Sequence, residues 1–199
     1  MGATHCHNCV AHLEAARVRR DSLQRARQRH RLAFIKRLKA KEARQRAEKL
    51  QRLLDDLDEP ENHDMAIYQI NQLGVEAIPP LIETLLNDHH PDARYGSARA
   101  LGHICSEHEV KVLIKARAAK ALVKALDDSH PAVRYWSSDA LGRCKSHTAV
   151  EPLAQLLHDP HEGVREQARA ALKEIGGPRV EQILARANSS SKGLLGWSR

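Results

Sequence analysis

Aromatic side chains are scarce in this chain: one Phe, three Tyr and two Trp among 199 residues. Aromatics usually contribute much of a core's buried area, so a core here must be built from Ala, Leu, Ile and Val. No apolar run approaches the ~18 residues that a spanning helix needs, which excludes an integral helical membrane protein. The first twenty residues lack an apolar stretch, so no secretory leader is expected. Cys6 stands where N-myristoylation requires Ser or Thr. Only four cysteines occur, without the spacing of a disulfide framework, which points to a reducing, cytoplasmic setting. A Gly-rich phosphate loop, a Ser-His-Asp arrangement and a paired-carboxylate site are also missing.

Neither glycine nor proline occurs in residues 10–58, a stretch of Ala, Arg, Lys, Gln, Glu and Leu, all good helix formers. The spacing predicts one long helix, ended by Glu59-Pro60-Glu61-Asn62, because proline disfavours helix at the residue before it. Residues 1–52 carry 15 Lys+Arg against 4 Asp+Glu, net +11, and the remaining 147 carry 17 against 21, net −4. A mildly acidic body thus bears a strongly basic arm. Ala26, Ala33, Ala40, Ala47 and Leu54 lie seven apart, too weak a seam for a self-sufficient coiled coil. Leu32, Phe34, Ile35 and Leu38 form a separate apolar patch suited to docking. Two readings of the arm stand side by side. It is a solvated helix whose end, near residues 50–57, packs on the body, or it docks on RNA or an acidic protein surface. Aromatics are not interleaved with its cations, which disfavours sequence-specific single-strand recognition.

The rest of the chain repeats itself. Arg94 leads to Ala100-Leu101-Gly102, Arg134 to Ala140-Leu141-Gly142, and Arg165 to Ala171-Leu172. Asp88, Asp128 and Asp159 stand six residues before those arginines, and Leu86, Leu126 and Leu157 stand two before the aspartates. The arginines are separated by 134 − 94 = 40 and 165 − 134 = 31 positions. Such periods mark a stacked helical solenoid. Each unit reads as a first helix (78–88, 118–128, 149–159), a turn begun by the aspartate, and a second helix. The second helix shows one face of small and branched residues: Val133, Ser137, Ala140 and Leu141, matched by Val164, Ala168, Ala171 and Leu172. Residues 65–74 form a degenerate half repeat, and 178–187 a closing helix. The extra length in 103–117 carries Val110, Val112, Leu113 and Ile114, and is expected to lengthen a first helix.

This pattern resembles HEAT-like repeats of the phycobilisome-lyase type, over roughly residues 60 to 187. The resemblance implies an all-α fold: an α-solenoid of about four HEAT-like hairpins, preceded by the long basic helix. The domain reading is 1–12, an N-terminus with a zinc knuckle as one reading; 13–59, basic arm; 60–187, solenoid; 188–199, flexible tail. The resemblance also implies ladder contacts between the repeat aspartates and arginines of neighbouring units. It does not transfer an activity. HEAT-like deoxyhypusine hydroxylases carry His-Glu directly after the repeat arginine to hold two irons. Here those positions are Tyr95-Gly96, Tyr135-Trp136 and Glu166-Gln167, so that ligand set is absent. The phycobilin lyases share the repeat class, but no residue set here reads as a bilin site.

Cys6 and Cys9 have zinc-knuckle spacing, with His12, or His5, as a further ligand. No second Cys-x-x-Cys follows, so completion needs His5 and His12 together or a second chain's cysteine pair in a zinc-bridged dimer. The alternative is an N-terminus in which the pairing is incidental. Cys105 with His108 and Cys144 with His147 follow the second helices of successive units. Their offsets from the Leu-Gly markers differ by one residue, which favours buried cysteines with loop histidines over a metal quartet.

Four of the six aromatics, Tyr68, Tyr95, Tyr135 and Trp136, sit one or two positions after the repeat arginine or its equivalent Ala66. In solenoids of this class the second helices line the inner surface, so these four are expected to form a stripe there. Arg99, Asp139 and Gln167 are the expected polar neighbours. Tyr and Trp predominate at binding hot spots. The functional expectation is a non-enzymatic adaptor that holds a protein segment in its groove while the arm docks elsewhere. A lyase-like enzyme of the phycobilin-lyase class and an RNA- or ribosome-associated factor are the runners-up.

Overall fold

A computed structural model describes the backbone of residues 7–59, 61–107 and 109–194, and the side chains of 16–59, 61–107 and 109–187. Every regular element among the described residues is helical. The α-helices are α1 (His7–Asp55), α2 (His63–Leu73), α3 (Ile78–Asn87), α4 (Pro91–Glu107), α5 (Val112–Ala125), α6 (Pro131–Arg143), α7 (Val150–Gln155), α8 (Glu162–Ile175) and α9 (Pro178–Leu194), with short 3-10 turns between some of them.

The chain divides into two compact units, Met1–Lys49 and Leu50–Arg199. In the first, α1 is a lone helix whose described side chains are all exposed except Asp21, which is half-exposed. It is held by its own backbone and local pairs such as Arg44 to Glu48, 2.9 Å apart one turn on. Val18, Leu23, Leu32, Phe34 and Leu38 stand in the open. In the second unit, Leu53, Leu54 and Leu57 are buried and begin the core.

That core runs through three helical hairpins, α3–α4, α5–α6 and α7–α8, flanked by α2 and α9. Proline occupies the first turn of α3 and of α6, where its missing N–H costs nothing. Leu101, Leu141 and Leu172 are fully buried at equivalent places in α4, α6 and α8. These second helices make the most extensive helix–helix contacts of the fold, α4 with α6 and α6 with α8. Their spacing is set by glycine. A Cβ on Gly102 would lie 2.9 Å from the Ala140 Cα, and one on Gly142 would lie 2.9 Å from the Ala171 Cα. In the third unit the matching residue is Lys173, exposed, and among the described residues no further second helix packs there. The Ala-Leu-Gly phrase therefore ends where the stack of second helices ends.

A ladder of charge joins the turns. Arg94 donates through Nη1 to the Asp88 and His89 carbonyls (3.0 and 3.1 Å), and through Nε and Nη2 to both Asp128 carboxylate oxygens (2.8 and 2.9 Å). Arg134 repeats this with the Asp128 and Ser129 carbonyls and with Asp159, at 2.7 and 3.0 Å. Each aspartate also accepts the backbone N–H two residues on, from His90, His130 and His161. Arg165 grips its own turn but, among the described residues, meets no following aspartate. At the other end Ala66 stands in place of an arginine, and among the described residues the Asp88 carboxylate has only its backbone partner. Burial pushes the Asp128 and Asp159 carboxyls up, but the arginine bonds and the histidine N–H groups outweigh it and hold both below the usual carboxylate range.

The extra nine residues of the longer period are shared between two helices. α4 has 17 residues against 13 in α6, and α5 has 14 against the six of α7 plus the three of the 3-10 turn that continues it. The expected lengthening of the first helix is present, and the preceding second helix grows as well. At the C-terminus α9 continues through 188–193, the stretch whose composition reads as linker, to Leu194. Trp197 lies outside the described residues.

Gly102→Ala is expected to cost about 1–3 kcal/mol despite alanine's better helix propensity, because the new methyl meets backbone rather than a movable side chain; urea denaturation checks it. Asp159→Asn, which leaves the buried Arg134 charge uncompensated, is expected to cost roughly 3–5 kcal/mol. Because the Asp159 pKa is depressed in the folded state, its stabilisation is present above the unfolded value of about 4 and is lost as pH falls through the folded value. Denaturation midpoints between pH 6 and pH 2 should therefore converge for wild type and Asp159→Asn at the acid end.

Candidate partner-binding strip on the second helices

Two positions past Arg134 and Arg165 stand Trp136 and Gln167, and each meets the residue five positions past the arginine of the preceding unit, Arg99 and Asp139. Arg99 of α4 donates to the Asp64 carboxylate of α2 at 2.5 Å, and its guanidinium carbon lies 4.9 Å from the Trp136 ring of α6. That bond is the main reason Asp64 is held below the usual carboxylate range. Arg99 thus links three helices, by a hydrogen bond on one side and a cation–π contact on the other. The Tyr135 and Trp136 rings meet edge to face, 5.3 Å apart at 79°. One turn on, Asp139 accepts from Gln167 Nε2 of α8 at 2.9 Å and lies 3.6 Å from the Arg143 guanidinium.

Tyr95 is half-buried, its ring 4.6 Å from that of His63. Burial pushes its hydroxyl up, and Asp92 and Asp64 add to this. Tyr68 on α2 is 62 % exposed. The structure thus brings Arg99, Trp136 and Tyr135 into one cluster and Asp139 with Gln167 into another. Tyr95 leans on His63, and Tyr68 stands in the open.

Three participants escape a reading of the sequence alone: Asp64, His63 and Arg143. His63 is buried and fills the space over Gly96, whose notional Cβ would sit 2.8 Å from Nε2. The available signal was Gly96 itself, small where the equivalent residues are Trp136 and Gln167.

Elsewhere the unit carries an open groove of ≈ 690 Å³ between α5 and the chain leaving α6. Val112, Ala116, Ala119 and Val123 form its floor, with Lys115, Lys120 and Lys145 around it. No carboxylate lines it.

Among the described residues no group of three His, Cys, Asp or Glu side chains is placed to hold a metal ion. Cys6 lies outside the described residues, and the side chains of Cys9 and His12 lie outside the described side chains. His108, from the second cysteine–histidine pairing, is likewise outside them, and His147 is exposed. No described helix is long and apolar enough to cross a membrane.

Among solved structures, the chain is similar to a designed armadillo repeat protein in complex with the peptide (KR)4, at 22 % identity over 69 % of this chain and 70 % of that one, TM-score 0.45. It is similar also to a second designed armadillo repeat protein, at 23 % identity over 70 % of each chain, TM-score 0.44. Computationally designed armadillo repeat proteins for modular peptide recognition match at 22 % identity over 70 % of each chain, TM-score 0.41. No curated protein matches. Residues 77–108 match the family model for the HEAT repeat, and residues 119–194 match the model for HEAT repeats. With the hairpin units and the Arg–Asp ladder, these two matches identify the chain as a HEAT-like repeat protein.

Proposed function

We propose that this protein is a non-enzymatic adaptor, holding a segment of a partner protein against the strip formed by Tyr68, Tyr95, Arg99, Tyr135, Trp136, Asp139 and Gln167. The observation that carries this reading is the Trp136 cluster. Its ring is braced by Arg99 and Tyr135, yet remains half-exposed on a rigid helix. A large amphipathic side chain held in place loses little conformational freedom on binding, which is the character of a hot-spot anchor. The polar residues of the strip are held across helices, Asp139 by Gln167 and Arg99 by Asp64, so they can meet a partner's polar groups without rearranging. The two grooves beside α5 are lined mainly by apolar side chains and basic residues, with no carboxylate among the described lining residues, which favours binding over catalysis there.

The arm serves as a second contact, directed at RNA or an acidic protein surface. Its support is the net +11 of residues 1–52 and the exposure of its described cations. A patch around Phe34 and Leu38, 57 % and 44 % exposed, adds an apolar foothold.

Trp136→Ala should weaken the groove partner by about 2 kcal/mol or more, read by quantitative affinity purification from cells, while the urea midpoint stays close to wild type. Retention of every wild-type partner at undiminished recovery would refute the groove reading. For the arm, binding of the full chain to a labelled ribosomal RNA fragment should be measurable at ~50 mM salt and fall steeply by ~200 mM. A chain that shows no binding at the lower salt has no polyanion-docking arm.

A further inference from the structure

Cys105 and Cys144 are both buried, 4 % and 3 % exposed, and both are free thiols. They lie on adjacent second helices that run parallel, as cross-helix neighbours show: Arg99 meets Trp136, and Gly102 abuts Ala140. Residue numbers rise together along this seam, by three on α4 and four on α6. One step further in that progression pairs 105 with 144. The one-residue disagreement with the Leu-Gly markers is therefore the stagger of the helices, and it brings the sulfurs together. Each thiol perturbs the acidity of the other. Gly102, one turn before Cys105, lets the two backbones approach closely at Ala140, and a short bridge needs such an approach nearby.

Two further features bear on reactivity. Cys144 lines the open groove beside α5, and Lys115 lines the same groove. The chain turns sharply after Cys144: Lys145 adopts φ 50, and the Lys145 and Ser146 N–H groups return to the Gly142 and Leu141 carbonyls. A non-glycine residue in this left-handed position is strained and persists because the surrounding bonds enforce it. That closure holds Cys144 in place at the mouth of the seam.

We propose that Cys105 and Cys144 are an oxidisable dithiol, closed by peroxide into a disulfide that staples α4 to α6. The Cys105 thiolate attacks the O–O bond of hydrogen peroxide, forming an S–O bond and expelling hydroxide, which leaves as water after taking up a proton. The Cys144 sulfur then displaces the oxygen from the sulfenic acid. The S–S bond forms, the S–O bond breaks, and a second water departs with the Cys144 proton. Two thiols are oxidised and one peroxide is reduced to two waters. The roles follow from the surroundings. The neighbouring Cys144 thiol holds Cys105 below the usual thiol range against the opposing effect of burial, and the Lys115 ammonium helps. Cys144, the proton-bearing partner, is pushed up by its Cys105 neighbour and by burial.

The test uses the full chain carrying Cys6→Ser and Cys9→Ser, so that only this pair can react. The protein is treated with hydrogen peroxide, unfolded, alkylated and weighed, and a non-reducing digest is sequenced by mass spectrometry. The expected result is loss of two hydrogens from the intact mass, loss of both alkylation sites together, and a peptide joining Cys105 to Cys144, all reversed by dithiothreitol. Bridge formation in the native chain should be at least roughly tenfold faster than in the same chain in urea, because the fold brings the sulfurs together. Adding Cys144→Ser should abolish the mass loss and leave oxygen adducts or mixed disulfides on Cys105. The proposal is overturned if the native chain keeps two alkylatable thiols under peroxide that oxidises the urea-unfolded chain. It is overturned equally if oxidation yields only oxygen adducts or inter-chain dimers.

Discussion

Two α-helices can run side by side with their backbones nearly touching only if no side chain stands between them. Gly102 and Gly142 supply that condition, each facing the backbone of an alanine on the next second helix. The consequence is an apolar seam made of alanine, glycine and fully buried leucine, with hardly any help from aromatic rings. Such a seam tolerates little. A methyl group added at either glycine pushes on main chain, which cannot rotate away, and the displacement passes along a stack in which every second helix touches the next.

The charge ladder depends on the same spacing. A guanidinium has one planar fork, and Arg94 and Arg134 use all of it: one nitrogen on the carbonyls of their own turn, two on the carboxylate of the following turn. The bidentate geometry closes only when successive turns are one helix-pair apart. The ladder therefore reads the stacking distance rather than setting it. Its ends show the limit of the repeat. Arg165 has no aspartate beyond it among the described residues, and Ala66 replaces an arginine before it.

The strip of Arg99, Tyr135, Trp136, Asp139 and Gln167 grows from the face that the seam leaves outward. Because α4, α6 and α8 are parallel and close, residues about 37 or 28 positions apart become lateral neighbours: Arg99 with Trp136, Asp139 with Gln167. The thiol pair comes from the same register one turn further on. The groove beside α5 has a different origin. α5, with 14 residues, is longer than the first helix of either neighbouring unit, ten in α3 and six in α7, and the short α7 leaves part of its flank uncovered. Irregularity in the repeat thus produces a cavity where strict repetition would have produced a wall.

Much of this was legible before any coordinates. Three copies of Asp, Arg and Leu at constant offsets imply stacked hairpins, since only equivalent environments keep such spacing, and Leu101, Leu141 and Leu172 occupy those environments. The long α1 follows from helix propensity and the lack of Gly and Pro, both properties of local sequence. What remained hidden were relations between helices. Asp64 gives no sign that it pairs with Arg99, and His63 none that it fills the space over Gly96. Cys105 and Cys144 look mismatched when counted from their own repeat markers. Counting along a chain assumes that neighbours align position for position, whereas packed helices are staggered by the fit of one surface into another. That offset belongs to the assembled structure, and it decides which side chains meet.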